Sequence, residues 1–199
     1  MKKFFQDHSY NMVKMFLNQF ATAIFGFVLT LASMMAKNAI LRNITSVFAV
    51  LFYLFLLYTM TWEIGYRDKI PVETGKLKKN NFRGSLIALC ANSVNLLLAL
   101  IIAVARLFPI SDFMDKAGSI CVSILLFIEG MFTGLLTNKV GGFALSSYWW
   151  IYLLLPIPAI LVCGIAYQMG IHDIKFTSIF DPIYPESDRE PSKKKNRFD

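Results

Sequence analysis

The most regular feature of the chain is a series of long stretches without any charged side chain. Asp, Glu, Lys and Arg are absent from residues 15–36, 43–62, 84–105 and 140–171. A helix that crosses a bilayer needs about 20 apolar residues, and each stretch can provide them. One further apolar segment contains a single acid, Glu129. The pattern therefore predicts five spans, at about 16–36, 44–62, 85–105, 117–137 and 148–169.

The two ends of the chain follow different patterns. The first 20 residues have a helical period, with Phe5, Met12, Phe16 and Phe20 on one face and Lys3, Asp7, Lys14 and Asn18 on the other. Such a helix lies in the membrane interface and leads into the first span. Residues 172–199 combine prolines with mixed charges, which predicts a solvated, irregular tail.

Helices are favoured over the strands of a transmembrane barrel, because the spans are long and their polar residues do not alternate. We therefore predict an all-α integral membrane protein of five hydrophobic helices with an N-terminal interfacial helix. Pro156 and Pro158 each remove a backbone donor, which predicts a kink or a locally irregular turn in the last helix.

Composition supports this fold class. Of the 199 residues, 56% are hydrophobic and only 17% are charged, and the mean hydropathy is +0.53. Soluble domains carry about a quarter of their residues as charges. The composition therefore excludes a soluble enzyme domain, a disordered chain and a small secreted disulfide scaffold.

The net charge of +7 does not indicate a nucleic-acid partner, because most aromatic residues lie inside the predicted spans. Cys90, Cys121 and Cys163 also fall within apolar segments, which favours small buried residues over disulfides or metal ligands. Both histidines, His8 and His172, lie outside the spans, and no catalytic or metal-binding motif is present. We expect a protein that is not an enzyme and binds no cofactor or metal.

Charge leaves two topologies open. Six basic residues lie between Glu63 and Arg83, within reach of two span ends, so this loop and the N-terminus are expected to be cytoplasmic. Five crossings divide the basic residues of the whole chain evenly between the two sides. If segment 117–137 enters and leaves on one side, four crossings place fifteen of the 20 inside. Segment length favours five crossings, charge favours four, and we lean towards five.

Small residues form a stripe on each of the third and fourth segments. The two stripes consist of Ala88, Asn92, Asn95, Ala99 and Ala103, and of Ser119, Ser123, Gly130, Gly134 and Thr137. Small faces let membrane helices approach closely, and Gly130 and Gly134 form a GxxxG motif. These stripes predict that the two segments pack as a close antiparallel hairpin.

Glu129 is the only formal charge inside a predicted span. An ionised carboxylate in hydrocarbon costs several kcal/mol unless it is paired or protonated, so Glu129 should face protein or water. In an antiparallel hairpin, Asn92 lies at the same depth as Glu129, which makes a hydrogen bond between them feasible. Glu129, Asn92 and Asn95 are therefore the candidate site, as a proton or cation relay or as a purely structural polar cluster.

Patches of the sequence resemble small uncharacterised polytopic membrane proteins of Gram-positive bacteria. The patches are Phe16-Leu17-Asn18-Gln19-Phe20 with Gly26, Asn80-Asn81-Phe82-Arg83-Gly84, and Pro156-Ile157-Pro158. The resemblance implies a multi-pass protein of the bacterial plasma membrane and carries no activity.

Two functional hypotheses follow. The first is a non-catalytic membrane component that assembles with itself or with a larger membrane complex through its small-residue faces. The alternative is a small-solute or ion transporter subunit that uses the intramembrane Glu129. The lipid bilayer is the expected partner in both, and the basic loop either fixes the orientation or binds anionic lipid.

Overall fold

The computed structural model describes residues 2–78, 80–108 and 112–174, with side chains from Ser9 onward. Most of these residues are helical, which confirms the all-α class. The helices are α1 (Lys2–Met35), α2 (Ala39–Glu73), α3 (Arg83–Ala91), α4 (Ser93–Leu107), α5 (Asp112–Ile128), α6 (Thr133–Leu136), α7 (Trp149–Leu154) and α8 (Ile157–Ile171). Short 3-10 turns cover Gly130–Phe132 and Leu145–Ser147, and strands β1 (Lys139–Val140) and β2 (Phe143–Ala144) form a small hairpin.

Within this part of the chain, three helical segments are long and apolar enough to cross a membrane without a sharp bend. They are α1, α2, and the segment formed by α7 and α8. The number rises to five if each of two bent helix pairs counts as one span. The predicted interfacial helix is not a separate element, because α1 continues without a break from Lys2 to Met35. At Pro156, where a kink or irregular turn is predicted, the helix is interrupted, since α7 ends at Leu154 and α8 begins at Ile157. Most of the predicted tail, residues 175–199, lies outside the described residues.

Contacts between the helices define two ends of the bundle. The "basic end" holds the C-terminal part of α2 and the start of α3, where Arg83 contacts Asp68. The "hairpin end" holds the turn between α1 and α2 and the β-hairpin, where Asn138 contacts Arg42. The Gly141-Gly142 turn of this hairpin has positive φ at both positions (63° and 87°), as a tight two-residue turn requires.

Segment 83–107 runs from the basic end to the hairpin end and bends by 62° between α3 and α4. Segment 112–136 bends by 88° between α5 and the 3-10 turn that leads into α6. Both predicted spans are thus broken helices rather than continuous ones.

The second broken segment starts and ends at the hairpin end. In its first half, Gly118 lies beside Ala105 near the end of α4, and an added Cβ there would be 2.8 Å from Ala105 Cβ. At its middle, Glu129 reaches Asn95 at the start of α4. Its second half leads back to Asn138, which contacts Arg42. The segment is therefore a bent helix pair, and a fifth crossing at 117–137 is not confirmed.

The outer surface of the bundle is apolar. Large side chains such as Leu17, Phe48, Phe55, Leu100 and Ile165 are exposed on it. Soluble monomers rarely expose apolar patches of this extent. The interior, by contrast, holds buried Gln, Asn, Glu, Ser, Thr and Arg side chains. This distribution is compatible with a membrane protein whose outer surface faces lipid.

Candidate functional site

Glu129 lies at the centre of a buried polar cluster between α1, α4 and the end of α5. Its side chain is 1% exposed. Atom Oε1 accepts two hydrogen bonds, from Asn95 Nδ2 at 2.7 Å and from Gln19 Nε2 at 2.9 Å. Atom Oε2 has no hydrogen-bond partner, and neither has Asn95 Oδ1. The carboxyl group is therefore anchored through Oε1 alone.

Asn92 explains why the first broken helix bends at this level. Its side-chain Nδ2 donates to the backbone oxygen of Ala88 at 3.0 Å. A side chain that bonds the carbonyl four residues earlier competes with the backbone and favours a bend. The Asn92 Oδ1 accepts from Asn95 Nδ2 at 3.2 Å. Asn92 thus joins the cluster through Asn95 and does not bond Glu129 directly in the hydrogen bonds seen here.

Gly130 explains how the second broken helix turns back beside α1. A Cβ at Gly130 would collide with the backbone oxygen of Ala23. One turn of α1 later, a Cβ at Gly26 would collide with Met131 in the same way. Only the missing side chains allow these two backbones to touch. The reversal of the chain directly after Glu129 therefore depends on glycine on both sides.

Tyr53 of α2 borders the Glu129 cluster. Its side chain is 2% exposed. It lies against the Asn92 side chain and is close enough to Glu129 for an electrostatic interaction. Tyr53 is a titratable side chain that interacts with the Glu129 carboxyl group.

A second polar region lies between Glu129 and the hairpin end. Thr30 Oγ1, Ser46 Oγ and Arg42 Nε are buried and have no hydrogen-bond partner. Both hydroxyl groups lie against Gly134, where a Cβ would overlap Ser46 Oγ and stand 3.2 Å from Thr30 Oγ1. Gly134 therefore lets the two hydroxyl groups pack directly against α6.

The basic end carries a polar cluster in which the charged side chains are hydrogen-bonded to one another. Arg83 Nη1 donates to Asp68 Oδ2 at 2.8 Å, and Arg83 Nη2 donates to the Lys78 backbone oxygen at 3.2 Å. The Tyr167 hydroxyl donates to the same Asp68 oxygen at 2.9 Å. Here α2, α3 and α8 also approach closely, since a Cβ at Gly65 would collide with the Tyr167 backbone oxygen. This end is joined by both charge and close packing.

Of the residues singled out from the sequence, Glu129, Asn95 and Asn92 come together. Gly130 and Gly134 do make close contacts, but with α1 and α2 rather than with the third segment. Ser119 and Ser123 are exposed. The break after Glu129 is the reason, because it changes the helical phase and divides the predicted stripe between two elements.

Sequence reasoning missed Gln19, Thr30, Ser46 and the cluster of Asp68, Arg83 and Tyr167. Gln19 follows Asn18 within the charge-free stretch 15–36, and an amide at that position is a usable signal. Thr30 and Ser46 gave no comparable signal, because hydroxyl residues are common in membrane helices and usually bond their own backbone.

Among the residues with described placement, no three His, Cys, Asp or Glu side chains form a group that could hold a metal ion. Cys90, Cys121 and Cys163 are free thiols. The chemistry that the Glu129 cluster offers is therefore that of one carboxyl group with amide partners.

Fold and site together define a class: an all-α protein of several span-length apolar helices, with a buried carboxyl group where two broken helices meet. No known protein family, curated protein or solved structure matches the chain. The function is therefore inferred from the site itself.

Proposed function

We propose that this chain is a multi-pass protein of the bacterial plasma membrane that transports a proton or a small cation, alone or as a transporter subunit, through reversible binding at Glu129. The observation that carries the proposal is the half-satisfied carboxyl group. Oε1 is held by two amide donors, while Oε2 and Asn95 Oδ1 are buried without a partner. Buried polar atoms are normally hydrogen-bonded, so this pair of oxygens is suited to a bound proton or cation.

We infer that a single proton satisfies both free oxygens, since Asn95 Nδ2 already holds the amide beside the carboxyl group. When Oε2 carries the proton, it donates to Asn95 Oδ1 while Asn95 Nδ2 donates to Oε1, and carboxyl and amide form a cyclic pair. When the proton leaves, the carboxylate keeps its two amide donors but loses that bond. A small cation between the same two oxygens would take the place of the proton.

The broken helices also support a transport role. Transporters commonly bind substrates and coupling ions where discontinuous helices meet near the midplane. Non-helical backbone at that depth is tolerated only inside protein or along a cavity, and Glu129, Gly130 and Met131 are all buried.

We further propose four crossings, with the segment α5–α6 re-entrant and the basic end cytoplasmic. Both ends of that segment lie at the hairpin end, and four crossings place fifteen of the 20 Lys and Arg residues inside. A single cysteine at Ser192 tests this topology. Labelling from the cytoplasm alone supports it, and labelling from outside overturns it.

Assembly through small-residue faces is the weaker candidate. The space beside Gly130 and Gly134 is already occupied by Ala23, Ser46 and Thr30 of the same chain. A second copy or a larger complex would therefore have to dock on the exposed apolar surface instead. Anionic lipid at the basic end is a compatible partner in either case, because Lys76 lies exposed there.

Flux measurements on the full chain in liposomes test the transport role. The variant Glu129→Gln keeps size and hydrogen bonding but cannot release a proton, and its NH2 group can donate to Asn95 Oδ1. We expect it to lose proton or cation flux while its thermal stability in detergent stays at or above that of the wild type.

Glu73→Gln is the matched control, since Glu73 is exposed at the end of α2 and undergoes the same chemical change. It should keep wild-type flux. The proposal is overturned if Glu129→Gln retains the wild-type flux and pH profile, or if the wild type moves neither protons nor monovalent cations.

A further inference from the structure

Two surface grooves of similar size lie between helices at the two ends of the bundle. The first has a volume of about 390 Å³ and lies between α3 and α8 at the basic end. The second has a volume of about 370 Å³ and lies between α4 and α5 near the hairpin end. We name them the α3/α8 groove and the α4/α5 groove. Their shapes are alike, but their polar surroundings are not.

The α3/α8 groove has a floor of small residues between walls of large ones. On the floor Gly164 lies against Ser85, and an added Cβ at Gly164 would collide with Ser85 Oγ. The exposed apolar side chains of Phe82, Leu161 and Ile165 stand around it. Atoms that line an empty groove lack dispersion partners, and a flexible hydrocarbon chain supplies them. The groove therefore fits the acyl chain of a lipid.

The α3/α8 groove is polar at one end and apolar at the other. At the basic end, Gln168 Nε2 donates to the Asn81 backbone oxygen at 2.7 Å, and both residues line the groove. Leu161 lies two turns deeper along α8. The helix from Gln168 to Leu161 spans about 10 Å, compared with about 15 Å for the hydrocarbon of one leaflet. The groove therefore runs from the membrane interface into a single leaflet.

The loop that leads to the polar end of this groove is basic. Segment 73–82 contains three lysines and one acid, Glu73. Lys78 is exposed, and its backbone oxygen accepts from Arg83 Nη2 at 3.2 Å, which holds it beside the start of α3. Within the described parts of the chain, Lys78 takes part in no ion pair. An anionic headgroup at this end would therefore meet a free ammonium group.

The α4/α5 groove lacks both the polar end and the excess of basic charge. Its lining is apolar throughout, as with Leu97, Leu100 and Phe113. The adjoining segment 106–116 carries two basic and two acidic residues. Lipid tails are as apolar as leucine, so an apolar lining does not select one lipid over another. Charge beside the groove does select, because basic residues at the membrane surface attract anionic lipids.

We propose that the α3/α8 groove binds one anionic phospholipid, with an acyl chain along Leu161 and Ile165 and the phosphate near Lys78. In the topology proposed above, the lipid belongs to the cytoplasmic leaflet. The site does not depend on transport at Glu129, so each proposal can fail without the other.

Native mass spectrometry of the full chain in detergent tests the site by counting bound lipid. Phosphatidylglycerol, which is anionic, is compared with phosphatidylcholine of the same acyl chains. Leu161→Trp fills the α3/α8 groove, and Leu100→Trp is the matched control, because the two leucines line different grooves and are similarly exposed (59% and 57%). Lys78→Gln removes the charge, and Lys116→Gln, at an exposed lysine beside the α4/α5 groove, is its control.

We expect the wild type to bind one phosphatidylglycerol more tightly than phosphatidylcholine. Lys78→Gln should weaken phosphatidylglycerol binding about fivefold, which is the effect of one basic residue on an anionic lipid, and leave phosphatidylcholine unchanged. Leu161→Trp should remove the tight site. Ile165→Trp, one turn further along α8, should do the same, which separates filling of the groove from misfolding of one variant. Both controls should bind like the wild type.

Three results overturn the proposal. The first is equal binding of the two lipids by the wild type. The second is a loss in Leu100→Trp as large as in Leu161→Trp, and the third is wild-type binding by Lys78→Gln. Free glycerol phosphate separates the whole lipid from its headgroup, and it should not displace bound phosphatidylglycerol at equal concentration. Displacement would show that the groove contributes nothing and would likewise contradict the site.

Discussion

At the basic end of the bundle a buried arginine, an aspartate and a tyrosine bind one another across three helices, whereas towards the hairpin end five buried polar atoms have no protein partner. Both ends are closely packed, since glycines let α2 and α8 touch at the basic end, and Gly134 lies against the Ser46 and Thr30 hydroxyl groups at the other. The two ends therefore differ in how their buried polar groups are paired. The basic end is joined by charge pairing, whereas the other end holds polar atoms without a partner.

The largest loss of stability is expected from removing Arg83 at the basic end. Its side chain is only 9% exposed, and Asp68, which is 17% exposed, would lose its cation. Removing one partner of a buried ion pair costs about 3–5 kcal/mol, so Arg83→Ala should lower stability in detergent by that order. Unfolding followed by circular dichroism measures the change.

Arg67→Ala is the control for this loss. Arg67 also pairs with a carboxylate, Glu63, but its side chain is 72% exposed. Exposed pairs contribute about 0–1 kcal/mol, so this variant should unfold almost like the wild type. Similar losses of stability in the two variants would show that the buried pair at the basic end stabilises the protein no more than an exposed pair does.

A smaller effect is expected at the close approach of α2 and α8. Gly65→Ala inserts a methyl group against the Tyr167 backbone oxygen, and overpacking of this kind costs about 1–3 kcal/mol. The same unfolding assay detects it. Gly75→Asn, at an open position with φ +71° that Asn tolerates, should cause almost no change. A tolerant Gly65 would mean that the basic end is not tightly closed.

The all-α class could be predicted from the sequence, because the thickness of the bilayer sets the length of an apolar helix that crosses it, and the charge-free stretches have that length. It also identified Glu129 and Asn95, since an acid and an amide in such stretches need partners. The break after Glu129 could not be predicted, because it depends on which neighbouring backbone touches Gly130. The break at Asn92 could not be predicted either, because it depends on the Asn92 side chain bonding the Ala88 backbone oxygen rather than a neighbouring helix. The role of Ser46 and Thr30 likewise depends on how α1, α2 and α6 meet, which no single segment encodes.

The proposed transport role requires that Glu129 binds a proton reversibly and shares it with Asn95. Infrared difference spectroscopy of the reconstituted protein over a pH series measures this directly, through the carbonyl stretch of the protonated carboxyl group. We expect a band that disappears reversibly as the pH rises and is absent from Glu129→Gln, with Asn95→Leu shifting its frequency. If the wild type lacks such a band, or if Glu129→Gln leaves the band unchanged, Glu129 is not a reversible proton site.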